Sequence, residues 1–366
     1  MTRVSADDWQ RAVLREISGG GPRGGDPSAV RPGTAAETMQ YGAGPSLAKA
    51  PAVPVVAPDR SPQPVPPLAP EVAALATGRP VRGDAAAARA LRALRSLFAS
   101  SSAADVERAK RVAAVLQKPV TTGRQIVVTS VHGGAGKTTL AALLGTVYAH
   151  HRPDPVLVVE ANPTLGTLPV RLGAPVLRWS ADEFAKVVTP HMRFDQLIGY
   201  LVGLPDGGWL LPGSKGQIGA QLSLADYQRV AVAVRRFFAI TVVDCQTLPG
   251  ELARSAMAGA QARVLATPAT PEGVAATRAV LDWMAGLPRP MLRGTVVALT
   301  QPGPRPALNA ERAAELLGGG DVRVVPMPYD RHLARGGRIS TGLLGRATHE
   351  AVTLLGADLL DLATRR

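Results

Sequence analysis

Three stretches of this chain hold residue types that act together on phosphate. The first reads Ser130-Val131-His132-Gly133-Gly134-Ala135-Gly136-Lys137-Thr138-Thr139. Glycines let successive backbone N–H groups turn inward around an anion, and a helix beginning at Lys137 would add its partial positive charge. Lys137 would reach terminal phosphates, Thr139 would join the cradle, and the Thr138 hydroxyl would sit on a magnesium ion. The second is Asp244, closing the run Ile240-Thr241-Val242-Val243, where a carboxylate would hold the metal shell through water. The third is Glu160-Ala161-Asn162-Pro163, a carboxylate and an amide ending another apolar run. Phosphoryl transfer asks a protein mainly to hold phosphate, metal and water in place, and these residue types suit that work.

Such groups need rigid elements behind them. Ile126, Val127 and Val128 form a β-branched run of the kind buried on both faces of a parallel sheet. Strand, glycine loop, Lys-Thr and helix, in that order, make the context of a P-loop. From Arg124 onward, short aliphatic runs alternate with helical patterns, predicting repeated βα units. Strands are expected at 155–160, 208–211, 240–244, 263–267, 295–300 and 322–325. Helices are expected at 224–238, 252–258, 273–285, 310–317 and 346–363. The last carries its leucines on one face and Glu350, Asp358 and Asp361 elsewhere, so it reads as a core helix rather than a lipid-binding tail. The fold class is α/β, a mostly parallel sheet flanked by helices.

The common pattern GxxxxGK[ST] asks for glycine where this chain has Val131. The loop instead resembles the variant P-loop of the MinD/ParA ATPases, KGGxGKT, with His132 in place of the first lysine. In that family this lysine crosses a nucleotide-sandwich dimer to the partner's phosphates. The resemblance implies ATP and Mg2+ as cofactors, Lys137, Asn162, Glu160 and Asp244 as the catalytic group, and His132 to Thr139 as the nucleotide cradle. It implies that Thr138 and Asp244 serve the metal, and that Gln246 to Gly250 form the switch sensing the terminal phosphate. The family's Asp-x-Asp-Pro is here Glu160-Ala161-Asn162-Pro163. Glu160 keeps a carboxylate beside the magnesium site, whereas Asn162 can orient a water but cannot take its proton. With His132 these departures imply slow or partner-stimulated turnover, or binding without hydrolysis.

The resemblance continues through Thr267-Pro268, Glu272-Gly273-Val274, the adenine-side loop Thr300-Gln301-Pro302, and Val325 to Leu333 followed by Gly336-Gly337. Among subgroups, the chain is most similar to the MinD-like proteins of actinobacterial type VII secretion clusters, which combine a Pro/Ala-rich leader, a basic helix, an SVxGGAGKTT loop and a DANP segment.

The chain has 366 residues, enough for one large domain or two ordinary ones. Aromatic residues make up only 4%, so the core must be mostly aliphatic. A net charge of +13, carried mainly by arginine, fits nucleic acid, an anionic membrane surface or simply a GC-rich genome. The single Cys245 rules out an internal disulfide and fits a reducing compartment. Asp7 and Asp8 precede any apolar run, and no apolar stretch reaches the roughly 18 residues that span a bilayer. A cytoplasmic protein is expected, recruited if at all to the inner face of the plasma membrane.

Four segments follow. Residues 1–17 form a short amphipathic helix, with Trp9, Val13, Leu14 and Ile17 on one face, either a docking peptide or an ordinary terminal helix. Residues 18–83, rich in Pro, Gly and Ala, form a disordered tether. Residues 84–118 are a basic helical segment opened by Asp84 as N-cap, with Arg89, Arg92 and Arg95 on one side and Leu91, Leu94, Leu97 and Phe98 on another. That helix packs on the next domain or meets lipid or nucleic acid. Residues 119–366 are the nucleotide-binding domain. The expected protein is an ATP-binding switch, an ATP-dependent homodimer that meets a protein partner through its leader at a membrane-associated machine. A non-hydrolysing regulator and a DNA-coating partitioning ATPase are the alternatives.

Overall fold

The computed structural model describes residues 63–64, 81–85, 103–162, 166–216, 220–287, 291–319 and 322–365. The expected helix of residues 1–17, nearly all of the 18–83 tether and the helix expected after Asp84 lie outside these residues.

The strands of the main sheet are β1 (Arg124–Ser130), β2 (Val156–Ala161), β3 (Val202–Gly203), β4 (Trp209–Leu211), β5 (Ile240–Cys245), β6 (Ala262–Pro268), β7 (Thr295–Thr300) and β8 (Arg323–Met327). The helices are α1 (Ala103–Leu116), α2 (Lys137–His151), α3 (Leu168–Arg171), α4 (Ala181–Val187), α5 (Phe194–Ile198), α6 (Leu224–Val234), α7 (Glu251–Gly259), α8 (Pro271–Ala285), α9 (Ala310–Leu317), α10 (Arg331–Ala334) and α11 (Arg346–Thr364). The strand order is β8-β7-β6-β1-β5-β2-β4-β3, parallel throughout except for the β3–β4 pair. The expected mostly parallel α/β sheet is therefore what forms. β1 lies between β5 and β6, and the chain leaves it in both directions. At that divergence an open α/β sheet offers a crevice outside the carboxyl ends of its strands.

Side chains alternate across each strand, so one residue parity faces each layer of helices. Ile126, Val128, Val158, Val242 and Val264 pack with Leu140, Leu144 and Tyr148 of α2 and with Leu355 and Leu359 of α11. Val127, Leu157, Val243 and Leu265 are buried as well but stand outside that cluster, toward the opposite layer, where α7 contacts β1 and β5. Burial on both faces explains why these strands read as uninterrupted aliphatic runs. The Tyr148 hydroxyl donates to the Gly356 carbonyl at 2.8 Å, tying α2 to α11.

α11 is a core helix, as its acidic residues suggested. Asp358 pairs with Arg323, while Asp361 accepts from Lys118 at 2.7 Å and pairs with Arg365. Among the described residues no helix is long and apolar enough to cross a membrane. Part of the positive charge is internal. The buried Arg152 guanidinium donates to the carbonyls of Leu116 and Lys118 at 2.7 and 2.8 Å, closing the end of α1. Arg263, buried in β6, donates to Met257 and Ala260 at 2.5 and 2.8 Å, at the end of α7. A cation against the last carbonyls of a helix is a stabilising arrangement.

The stretch before α1 is partly docked. Gly83 N donates to Leu343 O at 2.7 Å, and its backbone lies so close to Asp330 that a Cβ there would collide with the carboxylate. Asp84, the expected cap of the following helix, accepts from Arg346 N at 3.2 Å, the first residue of α11. The final residues of the expected tether thus rest on the domain. Gln63–Pro64 form a short antiparallel pairing with Val176–Leu177.

Candidate functional site

The phosphate loop follows β1 directly. Gly134 and Gly136 take left-handed backbone at φ 75° and 87°, conformations that any residue with a Cβ adopts at a cost. Gly136 is also the N-cap of α2, whose first three residues are Lys137, Thr138 and Thr139. Around Gly133 and Gly134 a Cβ would meet nothing within 4 Å, so the loop's outer face is open space. The loop is held from behind. Ser130 Oγ donates to His132 O at 2.6 Å, and Thr300 Oγ1 donates to Ala135 O at 3.1 Å and to Thr267 O at 3.2 Å. The His132 side chain is exposed, with its backbone carbonyl engaged by Ser130.

Asp244 lies on β5, next to β1 and on the same residue parity as Val242, which packs against α2. The side chain therefore points toward the layer that starts with Lys137. The Thr138 hydroxyl bonds its carboxylate. Burial pushes the Asp244 carboxyl up to about 7, opposed by the Thr138 bond and by the Lys137 charge. The same burial pulls the Lys137 ammonium below its usual range, opposed chiefly by Asp244. One oxygen, Asp244 Oδ1, is buried with no hydrogen-bond partner among the described residues. A buried, partnerless carboxylate oxygen is costly unless a ligand meets it.

The residues present fit a magnesium ion on that ground. Thr138 and Asp244 would hold it, and the bound ion would supply charge neutralisation at the phosphate oxygens. Among the described residues no group of three or more His, Cys, Asp or Glu could hold a metal alone.

The segment expected to sense the terminal phosphate runs beside the loop. Thr129 Oγ1 donates to Gln246 O at 2.8 Å, and Leu248 N donates to Ser130 O at 2.8 Å. Thr300-Gln301-Pro302 lies at the same edge, and Gln301 N donates to Met327 O at 3.0 Å.

Glu160 pairs in register with Asp244 across β2 and β5, so the two carboxylates share a face. Their surroundings differ. Glu160 Oε1 accepts from Leu168 N at 3.1 Å and Oε2 from Gly213 N at 3.0 Å. Burial pushes Glu160 up to about 8; the Gly213 N–H opposes this, the Asp244 charge adds to it, and the Leu168 N–H opposes it again. Asn162 lies just past β2 and is half-buried. The Leu168 and Gly213 N–H groups contribute to the site without local sequence signal, because one backbone N–H looks like any other. The pairing of Asp244 with Thr138 was foreseeable from the residue types.

Loop, helix and sheet together define a P-loop nucleotide-binding α/β fold. Among solved structures, its neighbours are MinD and ParA P-loop ATPases, the family its loop resembles. A ParA family ATPase from Chlorobium tepidum is 13% identical with a TM-score of 0.48, over 66% of this chain and 94% of that one. The septum site-determining protein MinD from Pyrococcus horikoshii, complexed with Mg-ADP, is 20% identical with a TM-score of 0.47, over 66% and 98%. With scores below 0.5, the fold assignment stands on strand order and loop. Among curated proteins, the ESX-1 secretion-associated protein EspI of Mycobacterium tuberculosis is 29% identical over 245 residues, or 65% of this chain. That alignment spans only 36% of the EspI sequence. No family model matches the chain.

Proposed function

We propose that this protein binds Mg-ATP in the loop 132–139 and hydrolyses it slowly, as a dimeric nucleotide switch serving a membrane-associated secretion machine. The observation that carries the reading is the buried, partnerless Asp244 Oδ1 beside Thr138 and Lys137. Lys137 binds terminal phosphate, the loop N–H groups surround the rest, and Thr138 with Asp244 serves the metal. Asn162, at the strand end, orients the attacking water without removing its proton, which keeps turnover low. His132, exposed at the loop tip, faces a second copy across the nucleotide. The similarity to a protein named as secretion-associated supports the type VII secretion setting, with recruitment to the inner face of the plasma membrane by a protein partner.

Calorimetry with Mg-ATP tests the site. Lys137→Ala should weaken binding about 100-fold, the loss expected of a charge-assisted phosphate contact. Equal uptake by parent and variant, or none by either, removes the nucleotide reading. Sedimentation with and without ATP tests the switch, and one copy under both conditions rules out the dimer.

A second reading, a nucleotide-binding regulator with no turnover, is favoured by Asn162 and by a Glu160 whose two oxygens are both occupied. Tight Mg-ATP binding with no phosphate release, even with partner or vesicles added, would select it.

A further inference from the structure

The loop and Asp244 account for phosphate and metal, yet the larger investment of buried polar groups at this edge lies one strand away. Glu160 is only 1% exposed, and its carboxylate bridges two segments far apart in sequence. Leu168 opens α3, and Gly213 follows β4, which pairs with β2 on the side away from β5. Each donates one backbone N–H to a separate carboxylate oxygen, at 3.1 and 3.0 Å. Gly166 closes over the same group, where a Cβ would collide with Oε1. Asp244, in register with Glu160 on the neighbouring strand, keeps a buried oxygen free. Two carboxylates on one face have thus taken different work.

We infer that Glu160 is a positioning residue: its carboxylate clamps the 166–168 and 211–214 backbones into one wall of the nucleotide crevice, and it is not a ligand of the metal shell. The assignment of the crevice rests on the proposed function, but the clamp is a statement about backbone hydrogen bonds alone. Its geometry also explains the residue type. Aspartate is one methylene shorter, and with the strand fixed by β5 and β4 it would not span both amides. Glutamine keeps the length but turns an N–H group toward one of the two donors. Neither substitute can accept from both amides, whereas a group serving only the metal shell would tolerate the shorter acid.

The test is amide hydrogen exchange on the full-length protein without nucleotide, comparing the parent with Glu160→Asp and Glu160→Gln. Exchange at Leu168 and Gly213 should quicken about 10-fold or more in both variants, as expected when a buried hydrogen bond is lost. The amides of β1 and β6 should keep their parental protection. Parental exchange at both sites in Glu160→Asp would overturn the clamp. Gly166→Ala covers the case in which both acid variants fail to fold: it leaves Glu160 in place but crowds Oε1, and should loosen the Leu168 amide by a similar factor. Unchanged exchange there also counts against the inference. Because no nucleotide is present, these outcomes stay separate from whether the chain binds ATP. Where it does, the magnesium dependence of nucleotide affinity should survive Glu160→Gln, which removes the charge, and be lost in Asp244→Asn. Loss in Glu160→Gln would return Glu160 to the metal shell.

Discussion

Two sides of the crevice are built from different material. On the loop side, β1, β5 and α2 are six to fifteen residues long and buried against both helix layers or the sheet. On the far side, residues 166–216 pass through α3, α4, α5, β3 and β4, of which the longest, α4, has seven residues. The long elements hold Asp244 Oδ1 open against its own burial cost. The short elements are held instead by a satisfied carboxylate, Glu160, supplied by the sheet. A frame with enough packing can keep a polar group unspent for a ligand, while a wall without it uses such a group for itself.

The largest predicted effect tests the packing half of that contrast. Leu144 in α2 and Leu197 in α5 are both 0% exposed. Leu144→Ala should cost about 4 kcal/mol in urea unfolding, because sheet and α11 prevent collapse, while Leu197→Ala should cost about 2.5 kcal/mol among short elements that can relax. Equal losses would break the comparison.

Next in size is the dependence of stability on pH. Asp244 and Glu160 sit at about 7 and about 8 when folded, above their ordinary values of 3.8 and 4.5. The folded protein therefore holds more protons than the unfolded chain between those limits, and nucleotide-free stability should fall as pH rises from about 4 to 8. Asp244→Asn should flatten the part of this slope ending near 7, with Glu160 left to carry the rest. A slope unchanged in that variant would mean that Asp244 is not the open group.

The smallest effect lies outside both walls. Gly83→Val should leave the unfolding midpoint nearly unchanged, within about 0.5 kcal/mol. It should nevertheless raise trypsin cleavage after Arg82 several-fold, since the Cβ meets Asp330 and Gly345. Parental cleavage would show that the Gly83–Asp84 contact does not hold the leader's end.

Much of this protein was set by local chemistry in the sequence. Short aliphatic runs bounded by turn residues read as strands, so β1, β2, β5, β6, β7 and β8 were legible to within two residues. The glycine loop followed by Lys137 and Thr138 is what carries the proposed ligand class, because few other arrangements of backbone N–H and ammonium have that spacing. Tertiary structure decided what local chemistry leaves equal. Elements as short as α3, α5 and β3 bury too little surface to leave a periodic signal and exist through their neighbours. Asp84, the expected cap of the helix after it, accepts from Arg346 N at the start of α11, a contact that no local pattern announces. Glu160 and Asp244 are both carboxylates ending apolar strands, alike in sequence. Only the backbone N–H groups folded against one of them, and withheld from the other, satisfy both oxygens of the first and leave an oxygen of the second open.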